Sequence, residues 1–157
     1  MKTLIVYTTK RGTAEKAAMM LKNALGGNTT LVNLARDKAP ELSGFDTVIL
    51  GGSIYVGSIQ KKLSEFAAAN AQILQGKKLG LFICAGMEKE WAVEMEKAFP
   101  QELRARAAAK DNFGYEFDFK KMNFLEKAAI GKIAGIKESV SKLSKEKIEA
   151  FARALLA

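Results

Sequence analysis

Short apolar runs alternate along this chain with longer segments in which apolar residues recur at helical spacing. The apolar runs predict strands at 3–8, 29–33, 47–50, 79–84 and 105–118, the last of them split near 111–114. Helical spacing predicts helices at 14–25, 58–74, 88–99 and 144–156. Glycine and proline separate these segments, so strands and helices alternate as they do in α/β proteins.

The predicted strands are nearly continuous in apolar residues rather than alternating with polar ones, as in Leu4-Ile5-Val6 and Val48-Ile49-Leu50. Strands of this kind are buried on both faces, as in a parallel sheet covered by helices on each side. Because crossover connections are right-handed, the pattern predicts a doubly wound α/β sheet in a single domain over residues 1–157. The ligand crevice of such a sheet lies beyond the carboxyl ends of its strands.

The first predicted strand runs directly into a hydroxyl-rich turn and then into a helix. Gly12 permits a left-handed backbone, and Thr13 is placed to cap a helix that begins at Ala14. A helix N-terminus with Lys10 and Arg11 beside it is suited to bind an anion such as phosphate. On this segment alone, an ordinary capped strand-turn-helix corner is an equally good interpretation.

Two further loops, residues 51–58 and 85–87, follow predicted strands 3 and 4 and reach the same edge of the sheet. Three loops on one edge can enclose one flat ligand. The chain has neither the P-loop pattern nor the dinucleotide fingerprint. Thr8, Thr9, Gly51 and Gly52 also stand where a phosphoacceptor receiver would need carboxylates.

Composition narrows the chemistry further. The 157 residues include one cysteine, Cys84, and no histidine, which excludes an internal disulfide, a Cys/His metal cluster and a histidine-activated nucleophile. The net charge of +8 favours an acidic partner, whether nucleic acid, anionic membrane surface, acidic redox protein or phosphorylated cofactor. The chain shows neither a leader pattern nor a long apolar run, so we expect a cytoplasmic protein.

Residues 119–137 form a basic amphipathic segment before the last predicted helix. Its apolar residues recur at steps of three and four, at Met122, Leu125, Ala129, Ile133 and Ile136. Its lysines occupy other faces, at Lys121, Lys127, Lys132 and Lys137. The pattern suits either a helix packed on the domain or one that lies at a membrane interface beside anionic lipid.

Three loops, residues 8–15, 51–57 and 82–87, resemble in this order the flavin-contacting loops of flavodoxin-type FMN-binding domains. Segment 114–127 is more narrowly similar to the insertion of flavodoxin-domain proteins grouped with menaquinone-dependent protoporphyrinogen IX dehydrogenase. The resemblance covers essentially the whole chain. It implies a flavodoxin-like five-stranded parallel sheet of order 2-1-3-4-5 and FMN as the cofactor.

The resemblance also assigns roles to residues. It implies that the FMN phosphate is surrounded by Thr8, Thr9, Lys10, Arg11, Gly12, Thr13 and Ala14. It implies that the flavin ring system lies between Ser53, Ile54, Tyr55, Val56 and Gly57 on one side and Cys84, Ala85, Gly86 and Met87 on the other. Ala14 stands where the family usually has a hydroxyl residue, which predicts modest FMN affinity. For Tyr55, stacking on the ring and packing on a neighbouring helix remain equal alternatives, whereas Trp91 and Cys84 are expected in the core.

These observations predict an FMN-binding redox protein, either an electron carrier or a flavin-dependent oxidoreductase. Protoporphyrinogen oxidation with a quinone acceptor is the narrower form of this prediction. The expected partners are a redox protein or a quinone, with peripheral membrane contact through residues 119–137 at the inner face of the membrane and no nucleic acid. The alternative is a basic α/β binding module without redox chemistry that engages nucleic acid or anionic lipid.

Overall fold

We describe the protein from a computed structural model that covers residues 1–55, 57–86, 90–134 and 139–157. The strands are β1 Lys2–Thr8, β2 Asn28–Asn33, β3 Thr47–Ser53, β4 Lys78–Cys84, β5 Ala109–Asn112, β6 Glu116–Phe117 and β7 Val140–Ser141. The helices are α1 Thr13–Leu25, α2 Lys61–Ala69, α3 Ala71–Leu74, α4 Trp91–Ala98, α5 Gln101–Arg106, α6 Phe124–Ala134 and α7 Lys145–Leu156.

Five strands form one parallel sheet of order β2-β1-β3-β4-β5, which confirms the predicted doubly wound topology. In its centre, Ile5 on β1 lies opposite Leu31 on β2 and Ile49 on β3. Because the sheet is parallel, the loops that follow β1, β3 and β4 all leave its carboxyl edge. The fold therefore brings the three predicted flavin loops to one side of the molecule.

Alternate residues of the central strands pack into two separate hydrophobic cores, one on each face of the sheet. On β1, Leu4 and Val6 pack into the core beneath α2 to α5, and the half-buried Trp91 packs against that same core, as expected. Ile5 packs into the opposite core, beneath α1 and α7. There the rings of Phe82 and Phe113 stack with their centroids 4.8 Å apart. Helices on both faces explain why these strands lack polar alternation.

Two predicted helix starts are wrong. Gly12, with φ 92°, precedes α1, which begins at Thr13 rather than Ala14, and the Thr13 side chain does not cap the helix. Ser58 does not begin a helix either. Its backbone pairs with Tyr55 in a tight turn, and α2 begins after Gln60. The predicted helix over 58–74 is further divided at Asn70 into α2 and α3.

The predicted fifth strand is much shorter than residues 105–118. Only Ala109–Asn112 pairs with β4, because residues 105 and 106 end α5. Glu116 and Phe117 pair instead with β7, antiparallel and outside the main sheet. Within the predicted helix 88–99, α4 covers Trp91–Ala98, while residues 88 and 89 lie outside the described part of the chain.

Residues 115–141, here called the insertion, comprise the β6–β7 ribbon, a short 3₁₀ helix at Phe119–Lys121, and α6. Its two ends lie side by side, because the Ser144 N–H donates to the Phe113 carbonyl at 2.8 Å. The Ser144 hydroxyl then accepts from the Lys147 N–H and caps α7. Among the described residues, no helix is both long and apolar enough to cross a lipid bilayer.

Candidate functional site: a cavity between the strand ends and the insertion

A cavity of about 610 Å³ opens at the carboxyl edge of the sheet. Its floor is formed by the loops after β1, β3 and β4, and the insertion forms the opposite wall. A volume of this size is within the range of about 300 to 1,000 Å³ that small-molecule and cofactor sites occupy. The fold thus places a ligand-sized space where the sheet topology predicts one.

Many of the residues assigned to flavin binding line this cavity. They are Lys10, Arg11, Thr13, Ser53, Ile54, Tyr55, Gly57, Cys84 and Gly86. Others are placed outside the lining: Thr8, Thr9, Gly12, Ala14 and Ala85. Val56 and Met87 lie outside the described part of the chain, as do residues 135–138 at the end of the predicted basic segment.

The loop after β1 forms a cationic, hydroxyl-rich end of the cavity. The Thr9 hydroxyl accepts from the Gly12 N–H at 2.8 Å, and the Ser53 hydroxyl accepts from the Ala14 N–H at 3.3 Å. Ser53, the last residue of β3, therefore supplies an oxygen beside the position where Ala14 lacks one. Together with Lys10, the N-terminus of α1 makes this end attractive to an anion.

The Thr8 side chain, which the resemblance assigns to the FMN phosphate, makes a hydrogen bond within the chain. Its buried hydroxyl donates to the Gln60 side-chain oxygen at 2.9 Å, which ties the end of β1 to the residue before α2. This hydrogen bond therefore helps to position the loop after β1. No sequence motif predicts this hydrogen bond, because Thr8 and Gln60 are distant along the chain and come together only in the folded sheet.

Arg11 joins the loop after β1 to the insertion. Its guanidinium forms an ion pair with Glu126 on α6, and the Tyr55 hydroxyl donates to the same carboxylate at 3.3 Å. The hydrogen bond from Arg11 holds the pKa of Glu126 below its usual range. The Lys10 ammonium lies 4.9 Å from the centre of the Tyr55 ring. Tyr55 thus connects Lys10 to the insertion, while Arg11 contacts Glu126 directly.

A second carboxylate of the insertion, Glu116, contacts the start of α1. The Lys16 ammonium lies 2.9 Å from Glu116, and the Ser141 hydroxyl donates to the same carboxylate at 2.8 Å. The Thr13 hydroxyl donates to the Glu116 backbone carbonyl at 3.5 Å. Sequence reasoning missed Glu116 and Glu126, because their partners lie about a hundred residues earlier in the chain.

The middle of the cavity is apolar and aromatic. The insertion contributes Tyr115 and Phe117, whose ring centroids are 5.2 Å apart. A side-chain carbon at Gly86 would lie 3.3 Å from the Phe117 ring, so this glycine lets the loop after β4 approach the aromatic pair. Cys84 lies below in a buried position, and burial raises the pKa of its thiol. The expectation that Cys84 is a small buried residue is confirmed.

Asn112 shapes the loop after β4 and was missed from the sequence. Its side chain is 1% exposed, accepts from the Ala85 N–H at 2.9 Å and donates to the Ala85 carbonyl at 3.2 Å. It also accepts from the Gly114 N–H at 3.0 Å. One amide group therefore fixes both the loop after β4 and the start of the insertion. No local pattern marked Asn112, because β5 has the mostly polar sequence Ala-Lys-Asp-Asn.

Two carboxyl groups from the α4 region, Glu90 and Glu94, line another part of the cavity. Glu94 is 7% exposed, and burial raises the pKa of its carboxyl group. The sequence carried a signal for it, since Glu94 shares a helical face with the buried residues Met95 and Ala98. A carboxylate on the apolar face of a helix is unusual.

The donor set fits a flat, phosphorylated ligand such as FMN. A cationic end beside a helix N-terminus suits a phosphate, and the apolar and aromatic middle suits a ring system. Arg11 lines this cavity, and its buried Nε makes no hydrogen bond to any residue in the described part of the chain. The cavity thus has the chemical layout that the three loops predicted.

Comparison with known families decides the classification. Residues 4–144 match the model of the family described as a flavodoxin domain. This chain belongs to the flavodoxin domain family. The membership identifies a flavodoxin-like redox protein and indicates FMN as its cofactor. No protein of curated function matches the chain.

Solved flavodoxins have the same fold. A short-chain flavodoxin associated with a non-canonical PDU bacterial microcompartment is 16% identical, with a TM-score of 0.65 and coverage of 99% of this chain and 97% of that one. The flavodoxin of Streptococcus pneumoniae TIGR4 is 16% identical, with a TM-score of 0.62 and coverage of 99% and 98%. Oxidised Flavodoxin 2 of Bacillus cereus is 23% identical, with a TM-score of 0.61 and coverage of 99% and 98%. At these identities, the similarity establishes the fold.

Proposed function

We propose that this flavodoxin-domain protein uses FMN to oxidise protoporphyrinogen and passes the electrons to a quinone. The observation that carries the proposal is the cavity itself, in which the flavin loops face an aromatic wall contributed by the insertion. When bound, FMN supplies the ability to accept and release one or two electrons. The residues around it bind the phosphate, orient the ring and exclude water.

The insertion favours an oxidoreductase over a simple electron carrier. It covers the flavin loops with Tyr115, Phe117, Met122 and Leu125, and so adds apolar surface on which a second flat ring system can lie. The similarity of segment 114–127 to the insertion of protoporphyrinogen dehydrogenases supports the porphyrinogen as that ring system. In each cycle, one electron pair leaves the porphyrinogen and one quinone is reduced.

Reconstitution tests the flavin part of the proposal. We expect purified protein to retain FMN after desalting and to show the visible absorption bands of bound flavin. Riboflavin, which lacks the phosphate, should bind more weakly because the cationic end of the cavity has no anion to contact. Protein that retains no flavin would instead support the alternative of a binding module without redox chemistry.

An assay of protoporphyrinogen consumption with a menaquinone analogue tests the substrate. The expected result is flavin-dependent loss of protoporphyrinogen together with reduction of the quinone. The variant Phe117→Ala, loaded with FMN, tests the role of the insertion in this reaction. It removes one ring of the aromatic wall, so we expect it to slow the reaction more than it weakens FMN binding. FMN-loaded protein that reduces small dyes but leaves protoporphyrinogen untouched would identify an electron carrier.

A quinone lies in the membrane, so its reduction requires a protein surface that can contact a lipid bilayer. Helix α6 has exposed residues suited to such a contact. Phe124 and Leu125 are 82% and 76% exposed, far more than apolar side chains of this size usually are. Lys120, Lys127 and Lys132 are exposed nearby, so the surface combines apolar insertion with attraction for acidic lipid headgroups. The proposed partner of this surface is an anionic bilayer at the inner face of the membrane.

Sedimentation with vesicles tests the membrane contact. The protein should sediment with phosphatidylglycerol vesicles and not with phosphatidylcholine vesicles, and the double variant Phe124→Ser, Leu125→Ser should stay in solution. Ile73→Ser is the matched control, because Ile73 is 53% exposed but lies on α3, away from the insertion. Equal sedimentation of all three proteins would contradict a membrane contact through Phe124 and Leu125.

A further inference from the structure

Glu94 is a buried carboxyl group that the flavin loops do not engage. It lies on α4 with 7% of its surface exposed, and it lines the cavity. Its Oε2 is buried and has no hydrogen-bond partner in the described part of the chain. A buried carboxyl group that lacks a partner costs free energy unless a donor satisfies it, so a carboxyl group of this kind on a residue that lines a cavity points to a ligand.

The charged groups that line this cavity come from three parts of the chain. Lys10 and Arg11 come from the loop after β1, Glu116 and Glu126 from the insertion, and Glu90 and Glu94 from the α4 region. Burial and the nearby Glu90 carboxylate keep the Glu94 carboxyl from ionising as readily as an exposed one, and Lys97 partly opposes them. A matching ligand is flat and apolar over its faces, carries an anionic group, and has an N–H group on its ring.

We infer that Glu94 is a binding residue of this cavity, and that its carboxyl group accepts a hydrogen bond from a ring N–H of the planar group held there. The inference rests on the proposed function, which supplies two candidates with this chemistry. One is the ring N–H of the flavin, and the other is a pyrrole N–H of the tetrapyrrole. In both cases, the donor gives a partner to a carboxyl group that lines the cavity and has one oxygen without a partner among the described residues.

The test compares Glu94→Met and Glu94→Gln with wild-type protein. Methionine removes the acceptor and keeps the length of the side chain, whereas glutamine keeps an oxygen acceptor. Glu96→Met is the matched control, because Glu96 is exposed on the same helix two residues away. FMN affinity is measured by quenching of flavin fluorescence in apoprotein, and protoporphyrin IX affinity by porphyrin fluorescence in FMN-loaded protein.

We expect Glu94→Met to weaken one of the two ligands by on the order of tenfold. Glu94→Gln should recover part of that loss, and Glu96→Met should bind both ligands as wild type does. Weaker FMN binding assigns the hydrogen bond to the flavin. Unchanged FMN binding with weaker protoporphyrin IX binding assigns it to the tetrapyrrole.

Thermal melting of the apoprotein separates binding from folding. Because the carboxyl lacks a partner, Glu94→Met should melt at or above the wild-type temperature while it loses ligand affinity. If methionine disturbs the packing of α4, Glu94→Gln carries the test, since it preserves shape and should still weaken one ligand. Both ligands bound as tightly by both variants as by Glu96→Met would overturn the inference alone. A wild-type protein that binds no flavin would overturn the proposed function as well.

Discussion

Among single residues, Gly12 lies at a position whose backbone conformation favours glycine. Its φ of 92° is in the left-handed region, and its N–H donates to the Thr9 hydroxyl in the turn that leads into α1. A β-branched residue at such a position costs on the order of 1 to 3 kcal/mol and moves the turn. The geometry of the anion-binding end therefore depends on this glycine.

We expect Gly12→Val to abolish FMN retention after desalting, whereas Lys127→Ala should retain FMN as wild type does. Lys127 is exposed on α6, where its ammonium lies 6.0 Å from the centre of the Phe119 ring. Flavin absorbance of the desalted proteins measures the difference, with circular dichroism to verify folding. Normal flavin binding by Gly12→Val would mean that the cofactor lies elsewhere.

Glu94 also makes a prediction about stability and pH. Its carboxyl pKa is raised in the folded protein above the ordinary value of 4.5, mainly by burial. The folded state thus holds a proton that the unfolded state releases, and stability contributed by this group falls as pH rises from about 4.5 to the raised folded value. In urea unfolding, the free energy of unfolding of Glu94→Gln should increase relative to that of wild type across this pH range. Above the range, the difference between the two proteins should stay constant. A constant difference at all pH values would contradict the shift.

On the scale of elements, Asn112 connects β5 to the loop after β4 and to the insertion. Asn112→Leu removes three hydrogen bonds and leaves buried backbone groups of Ala85 without partners. We expect the free energy of unfolding to fall by about 2 to 4 kcal/mol, and FMN binding to weaken as the loop loosens. Asn23→Leu, at an exposed position of α1, is the control for the same change in chemistry and should leave urea unfolding nearly unchanged.

The ion pair between Arg11 and Glu126 holds α6 against the loop after β1, so we expect its loss to affect α6 without unfolding the rest of the protein. The pKa of Glu126 is lowered by Arg11, so the pair is complete above the ordinary carboxyl pKa and is lost as pH falls through the lowered folded value. Glu126→Gln should speed amide hydrogen exchange in α6 at neutral pH and leave the unfolding midpoint of the whole protein unchanged. Glu149→Gln on α7 should leave α6 exchange as it is in wild type. Unchanged α6 exchange in Glu126→Gln would show that other contacts hold this helix.

On the scale of the whole molecule, the insertion stands apart from the sheet. The buried cores on the two faces of the sheet contain no described residue of the insertion. Because Phe113 and Ser144 are joined by a backbone hydrogen bond, a short glycine-serine linker can replace the insertion, residues 115–141, without straining the chain. We expect the shortened protein to fold with cooperative thermal unfolding, to bind FMN more weakly and to lose vesicle binding. Failure to fold would show that the insertion is part of the folding unit.

Much of the architecture was predictable from local pattern. Apolar runs such as Leu4-Ile5-Val6 mark strands because both faces of a parallel sheet are buried, and the order of the loops then follows from right-handed crossovers. Helix starts were less predictable. The turn at Tyr55 to Ser58 competes locally with a helix start, and only the bridge between those two residues decides the outcome.

The α/β class, the parallel sheet and the three loops that meet at its carboxyl edge can all be predicted from the sequence, since they depend on periodicity and turn chemistry close along the chain. Which groups face the cavity depends instead on how distant segments pack together. Glu126 meets Arg11 across 115 positions, and Asn112 reaches Ala85 across a strand pair. Such pairings carry no local signal, because they arise when the chain folds back and buried polar groups must find partners wherever packing places them.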